Sequence, residues 1–148
     1  INETEAKEHG IAHEVYTYGI DDLDRAIADG EAHGFVKVIT PPGSDKILGV
    51  TIAGEHAGDL LVEYVAAMKH GFGLNKILGT IHTYPTLGEA NKYAAGVWKK
   101  AQTTEQQLRF AAAFNEWRRG AGGVGAVVSA AFGLLGQGTR AAPQPEHH

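Results

Sequence analysis

Hydrophobic and polar positions alternate most clearly between residues 35 and 53. Phe35–Thr40 reads as a strand, Pro41-Pro42-Gly43-Ser44 as a turn, and Ile47–Ala53 as the return strand. In the return strand Leu48, Val50 and Ile52 share one face at period 2, and Gly49 and Thr51 share the other. The turn follows from proline, which fixes φ, and glycine, which tolerates positive φ. Upstream, Asn2 with Glu5 marks a helix start, and that short helix stops at Gly10. Ile11–Tyr18, with Val15, Tyr16, Thr17 and Tyr18, is a β-prone run. Asp21–Asp29 is polar with Leu23 and Ile27 four apart, which suits a short surface helix or an irregular connection.

Helical periodicity takes over after residue 58. Asp59–His70 is read as an amphipathic helix with Leu61, Val65 and Met68 as one stripe, Tyr64 beside it, and Asp59, Glu63 and Lys69 facing away. Its acidic start, basic end and terminal Gly71 agree with the helix dipole and capping preferences. Leu74–Leu78 is a short turn or helix, and Gly79–Thr83 is expected to be extended. Thr86–Ala101 forms the next helix, with Ala90, Tyr93, Ala94, Val97, Trp98 and Ala101 as its apolar face. A further helix is expected over Thr104–Arg119, where Phe110, Phe114 and Trp117 recur at helical spacing. Gly120–Gly138 is uncharged and long enough to span a bilayer nominally, but seven of its residues are glycine; it is expected to be a mobile or loosely packed tail.

Composition narrows the picture. A chain of 148 residues, 43% hydrophobic and 20% charged, is an ordinary globular domain; at this size it buries roughly 70% of its unfolded surface. The formal charge is −4, with no basic run to neutralise phosphates, so nucleic acid is not expected as a partner. With no cysteine, the chain carries no disulfide, no thiolate metal site and no redox dithiol of its own. No leader pattern opens it, which leads to an expectation of a cytoplasmic protein. The abrupt start at Ile1 and the ending Pro145-Glu146-His147-His148, read as a tag remnant, suggest a piece of a longer protein.

Candidate chemistry concentrates in His82-Thr83-Tyr84-Pro85-Thr86-Leu87-Gly88-Glu89. Thr86 and Glu89 have the spacing of a capping box. Pro85 favours an extended Tyr84, which would turn His82 and Tyr84 to the same side. Glu55-His56 invites a metal reading, but no second histidine follows at i+4, so no metal site is expected. His9, His13, His33 and His70 are read as surface histidines, and Tyr93, Trp98, Phe110, Phe114 and Trp117 as helix packing or dimer contact.

That octapeptide and the earlier block Ile47-Leu-Gly-Val-Thr-Ile-Ala-Gly-Glu-His-Ala-Gly-Asp59, in this order, resemble the C-terminal dimerisation domain of the pyridine nucleotide-disulfide oxidoreductases. These are flavoenzymes such as dihydrolipoamide dehydrogenase, glutathione reductase and mercuric reductase. The usual pattern there is His-x-His-Pro-Thr-x-x-Glu, and Tyr84 stands where the family places its catalytic histidine. A histidine near ~6.5 exchanges protons with a thiol at neutral pH, whereas a phenol near ~10 is a poor base there. The departure, with the added helix, looks most like the mercuric reductase-like branch.

The resemblance implies an α+β fold, an antiparallel sheet with helices packed on one face, which the hairpin and alternation support independently. It implies a dimerisation domain over residues 1–119, with a family-like core at 1–101 and an added helix at 104–119, followed by the tail at 120–148. Family members open with a Pro-Glu strand not found here, so an open sheet edge is expected. His82, Tyr84 and Glu89 become candidate catalytic residues: His82 as a nearby base or a packing histidine, Glu89 as cap, orienting group or both. Thr83, Tyr84 and Pro85 become candidate flavin contacts. The implied function is to dimerise a FAD- and NAD(P)H-dependent disulfide or mercuric-type oxidoreductase and lend this loop to the partner's active site. Its partners would be a second copy and the flavin domain of the same protein. FAD and NAD(P)H belong to the full-length protein; the segment alone, without a phosphate-binding Gly-x-Gly-x-x-Gly loop, is expected to bind neither and to be inactive. The alternatives are a stand-alone homodimerising interaction module without catalysis, and a membrane-tethered oxidoreductase.

Overall fold

The computed structural model describes residues 1–120 and 123–135. The chain divides into two compact units, Ile1–Gln102 and Thr103–His148. In chain order the first unit contains α1 (Glu3–Glu8), β1 (Glu14–Gly19), a single 3-10 turn at Ile20–Asp22, α2 (Asp24–Asp29), β2 (Phe35–Thr40), β3 (Gly49–Ala53), α3 (Ala57–Lys69), α4 (Leu74–Gly79) and α5 (Glu89–Gln102). The second unit contains α6 (Glu105–Arg118) and α7 (Val124–Leu135).

The strands form one antiparallel sheet in the order β1-β2-β3. Val38 lies opposite Tyr16 and Val50, and Val36 opposite Tyr18 and Ile52, so these apolar side chains share one face. Against that face lies the main core, in which Tyr16, Val36 and Val38 meet Tyr64 of α3, Leu74 and Ile77 of α4, and Ala94 and Trp98 of α5. α5 packs across β1 and β2. The α+β fold with helices over an antiparallel sheet is therefore the one the alternation predicts. On the opposite face Ile39 is buried, and Glu3 of α1 pairs with Lys37 at 3.6 Å. Ile1 backbone there lies where a Cβ on Gly49 would fall. Just before β2, Gly34 sits at φ 113°, and a Cβ there would strike the Ala53 carbonyl, so glycine is required for the strands to close.

Several expected elements move. The Asn2–Glu5 capping box is present, with both bonds at 2.9 Å. The β-prone run pairs only from Glu14 onward, and the return strand runs from Gly49, with Leu48 N–H just before it donating to the Ile39 carbonyl at 2.8 Å. Asp21–Asp29 resolves into the 3-10 turn and α2; Leu23 and Ala26 are buried whereas Ile27 is exposed. In α3 the predicted inward stripe is wrong. Leu60, Tyr64 and Ala67 are buried, while Leu61, Val65 and Met68 are exposed. Both stripes are apolar at helical spacing, and packing chooses the one carrying Tyr64, whose hydroxyl donates to the Asn91 carbonyl at 3.3 Å. Residues 80–83 follow α4 without strand pairing.

In the second unit, Thr104 caps α6 through a capping box with Gln107; Phe110 stacks on Phe114 with ring centroids 6.3 Å apart, and Phe114 meets Trp117 at a tilt, 5.6 Å apart. Within the Gly120–Gly138 stretch, residues 124–135 form a helix, α7, which contacts α6. No helix among the described residues is long and apolar enough to cross a membrane. Residues 136–148, including the Pro145–His148 ending, lie outside the described residues.

Candidate functional site

The segment joining α4 to α5 is held at both ends. Thr80 closes α4 by donating its hydroxyl to the Lys76 carbonyl at 2.8 Å. The His82 side chain then turns inward and is only 8% exposed. Its Nδ1 lies 3.0 Å from the Thr80 carbonyl oxygen, and its Nε2 3.1 and 3.2 Å from the two Glu63 carboxylate oxygens on α3. Behind this pair, the buried Asn91 amide donates to Glu63 Oε2 and to the Leu60 carbonyl, both at 2.9 Å. The same loop residue is thus tied to α3, which is tied in turn to α5.

At the far end, Glu89 is buried at the start of α5. Its Oε2 accepts from the Thr86 backbone N–H at 3.3 Å, and its Oε1 from the Tyr93 hydroxyl at 3.5 Å. The expected capping box is half formed. The Thr86 hydroxyl donates to the Thr83 carbonyl at 2.6 Å, so it does not cap, and the helix begins at Glu89, three residues later than predicted.

Between these anchors the chain is open. Thr83, Tyr84 and Pro85 are exposed, Tyr84 by 66%, and the Tyr84–Pro85 peptide bond is cis. The Tyr84 hydroxyl donates to Asp24 Oδ2, at the start of α2, at 2.9 Å. His82 and Tyr84 therefore do not project to one side as expected. Each follows its own carboxylate, His82 to Glu63 inside and Tyr84 to Asp24 at the surface.

Tyr18, Asp22, Leu23, Asp24, Tyr84, Glu89 and Tyr93 line a cavity of about 230 Å³. Across it the Tyr18 and Tyr93 rings stand 5.3 Å apart, and Tyr18 donates to Asp22 at 2.7 Å. Each phenol is paired with a carboxylate. Donation to Asp24, and then the charge of that carboxylate, holds the Tyr84 hydroxyl above the ordinary phenol range. The charge of Glu89 does the same to Tyr93, and burial does so to Tyr18 ahead of Asp22. These phenols keep their protons at neutral pH.

Elsewhere, His56 adopts the left-handed conformation ahead of α3 and bonds Asp59 Oδ2 at 2.9 Å. Among the described residues no group of three His, Cys, Asp or Glu is placed to hold a metal ion. Asp24 and Asn91 were not singled out from the sequence, and Glu63, read there as facing away, instead meets His82 and the buried Asn91 amide. Asn91 alone left a trace there, as a polar residue between apolar positions at the start of a helix.

The family model for the pyridine nucleotide-disulphide oxidoreductase dimerisation domain matches residues 1–95. The chain belongs to this family. Over 94 residues the domain is 36% identical to a dihydrolipoamide dehydrogenase of Chaetomium thermophilum, covering 64% of this chain and 19% of that protein. Over 95 residues it is 33% identical to a mercuric reductase of Streptomyces lividans, covering 64% and 20% respectively. The domain thus spans about a fifth of the length of these oxidoreductases, and it belongs to an enzyme family. Among solved structures, LpdA from Mycobacterium tuberculosis matches with a TM-score of 0.60 at 20% identity, over 65% of this chain and 21% of that one. The HOCl-induced flavoprotein disulfide reductase RclA from Escherichia coli matches with a TM-score of 0.61 at 20% identity, over 66% and 22%. At that identity the likeness concerns the fold, which is the dimerisation-domain fold the sequence resemblance implies.

Proposed function

We propose that this domain joins two copies of a flavin- and NAD(P)H-dependent oxidoreductase and lends its His82–Pro85 loop to the flavin-bearing domain of the opposite copy. One observation carries the reading. Tyr84 and Pro85 stand exposed on a loop whose neighbours His82 and Glu89 are buried and bonded, so the segment is built and then left uncovered by its own chain. An aromatic ring beside a proline is a surface on which the edge of an isoalloxazine fits, so Thr83, Tyr84 and Pro85 are the residues that would touch FAD. The bound flavin would relay electrons from the nicotinamide to a cysteine pair supplied elsewhere in the protein.

This chain's own residues have separate tasks. Tyr84, protonated at neutral pH, does not act as a general base; its oxygen accepts hydrogen bonds and its ring excludes water. His82 fixes the loop to α3, and Glu89 holds the loop's return into α5. The second copy finds a ready surface in the exposed Leu61, Val65 and Met68 stripe of α3.

Sedimentation of the 148-residue chain tests the pairing: a dimer is expected, and Val65→Glu should yield a monomer. A photo-crosslinker at position 84 of the parent enzyme should tag the flavin-bearing domain of the opposite copy. A monomeric wild-type chain, or crosslinks confined to the same copy, would overturn the proposal.

A further inference from the structure

We infer that Asp24, and not Glu89 of the octapeptide, is the carboxylate that positions Tyr84 and decides what its hydroxyl can recognise. The recognition role rests on the loop-lending reading above; the positioning itself rests on geometry within one chain. Tyr84 donates to Asp24 Oδ2 at 2.9 Å, across a sequence separation of 60 residues. Glu89, five residues along the motif, is turned elsewhere, its two oxygens accepting from Thr86 N–H and from Tyr93.

The consequence is chemical. A phenol has a single proton to donate. With that proton directed at Asp24, the oxygen presents only lone pairs to whatever approaches the loop, and so accepts a hydrogen bond from a thiol S–H, an N–H or an ammonium. An anion meets the opposite situation: Asp22, Asp24 and Glu89 line the same cavity, and among the described residues none that lines it is basic. Tyr84 thus selects for hydrogen-bond donors and against thiolates and carboxylates, and Asp24 is the positioning residue that makes it do so. Donation to Asp24 and its charge come first among the causes that hold the Tyr84 hydroxyl above the ordinary phenol range, ahead of burial, Glu89 and Tyr93.

The test is an NMR titration of the whole chain carrying tyrosine labelled with carbon-13 at Cζ, with the Tyr84 signal assigned by its disappearance in Tyr84→Phe. In the wild type, Tyr84 should titrate above the ordinary phenol range. Asp24→Asn should bring its midpoint down, and Glu89→Gln should bring it down less. Asp24→Ser serves as a second variant if Asp24→Asn loses the dispersed amide spectrum of the folded chain. A midpoint unmoved by both Asp24 variants, or moved further by Glu89→Gln, overturns the assignment. Because the titration is read within one chain, its failure is distinct from failure of the crosslink to the opposite copy: a shift without the crosslink keeps Asp24 as the grip on Tyr84 and removes the recognition role.

Discussion

His82 Nε2 lies 3.1 Å from Glu63 Oε1, and the other ring nitrogen lies 3.0 Å from the Thr80 carbonyl oxygen. A carbonyl and a carboxylate can only accept, so a ring nitrogen that carries hydrogen donates to the partner it faces. Through these contacts the His82 side chain fastens the loop to α3.

Removing that ring should loosen the loop. His82→Ala leaves Glu63 with Asn91 as its remaining side-chain partner. Because the Glu63 side chain is 31% exposed, water recovers part of the loss; the expected cost is about 2 kcal/mol rather than the larger figure for a fully buried pair. Urea unfolding followed by circular dichroism measures it. A change under about 0.5 kcal/mol, typical of an ordinary surface substitution, would contradict the anchoring role.

Acid should attack a different point. Glu14 Oε2 accepts from the Tyr16 hydroxyl at 2.6 Å, and Gln102 at the end of α5 donates both to that oxygen and to Tyr16. The Tyr16 bond above all, helped by Gly43 and Gln102 against burial, holds the Glu14 carboxyl below its ordinary range. The folded state therefore binds this proton less readily than the unfolded chain. The resulting stability is present above the ordinary glutamate value and is lost as pH falls through the depressed one. Melting temperatures of the wild type and Glu14→Gln should differ near pH 7, and the gap should narrow as the pH falls below the ordinary glutamate value. A gap that stays constant would show that Glu14 contributes nothing through its charge.

Trp98 joins α5 to the connection between β2 and β3. It is buried, and its indole N–H donates to the Ser44 carbonyl at 3.2 Å. On the other side of Ser44, the neighbouring Asp45 accepts from the Leu74 backbone at 2.8 Å and from the Asn75 amide at 3.0 Å, so the connection is clasped between α4 and α5. Trp98→Phe should cost about 1 kcal/mol through the lost hydrogen bond. Trp98→Ala should cost roughly 3–5 kcal/mol through the cavity it leaves. Equal losses from the two, measured by urea denaturation, would mean that the bond rather than the packing matters.

How far these features were legible in the sequence depended on the range of the interaction. The β2–β3 hairpin was readable because alternation and the Pro-Pro-Gly turn are local. The helix stripes were readable in kind but not in direction: Leu60-Tyr64-Ala67 and Leu61-Val65-Met68 are both apolar, and only the neighbouring α5 distinguishes them. The α5 start was misplaced because the Thr86 hydroxyl turns to Thr83 instead of capping. The helix α7 was hidden by its glycines, which have poor helix propensity. At the site, Tyr84 and Glu89 were visible through their motif, but Asp24 and Glu63 were not. Nothing local marks an aspartate at the start of a short helix as the partner of a tyrosine 60 residues away.

The two shoulders of the Tyr84 loop bear on how two copies would come together. Ordering one residue of a flexible segment costs about 1–2 kcal/mol of backbone entropy. Here that cost falls on folding, through the Glu63 and Glu89 contacts, before any neighbour arrives. In the proposed pairing the crest would meet a neighbouring surface already shaped, and little of the energy of that encounter would be spent on arranging it. A stiff prong of this kind favours rapid, rigid-body assembly over folding upon contact.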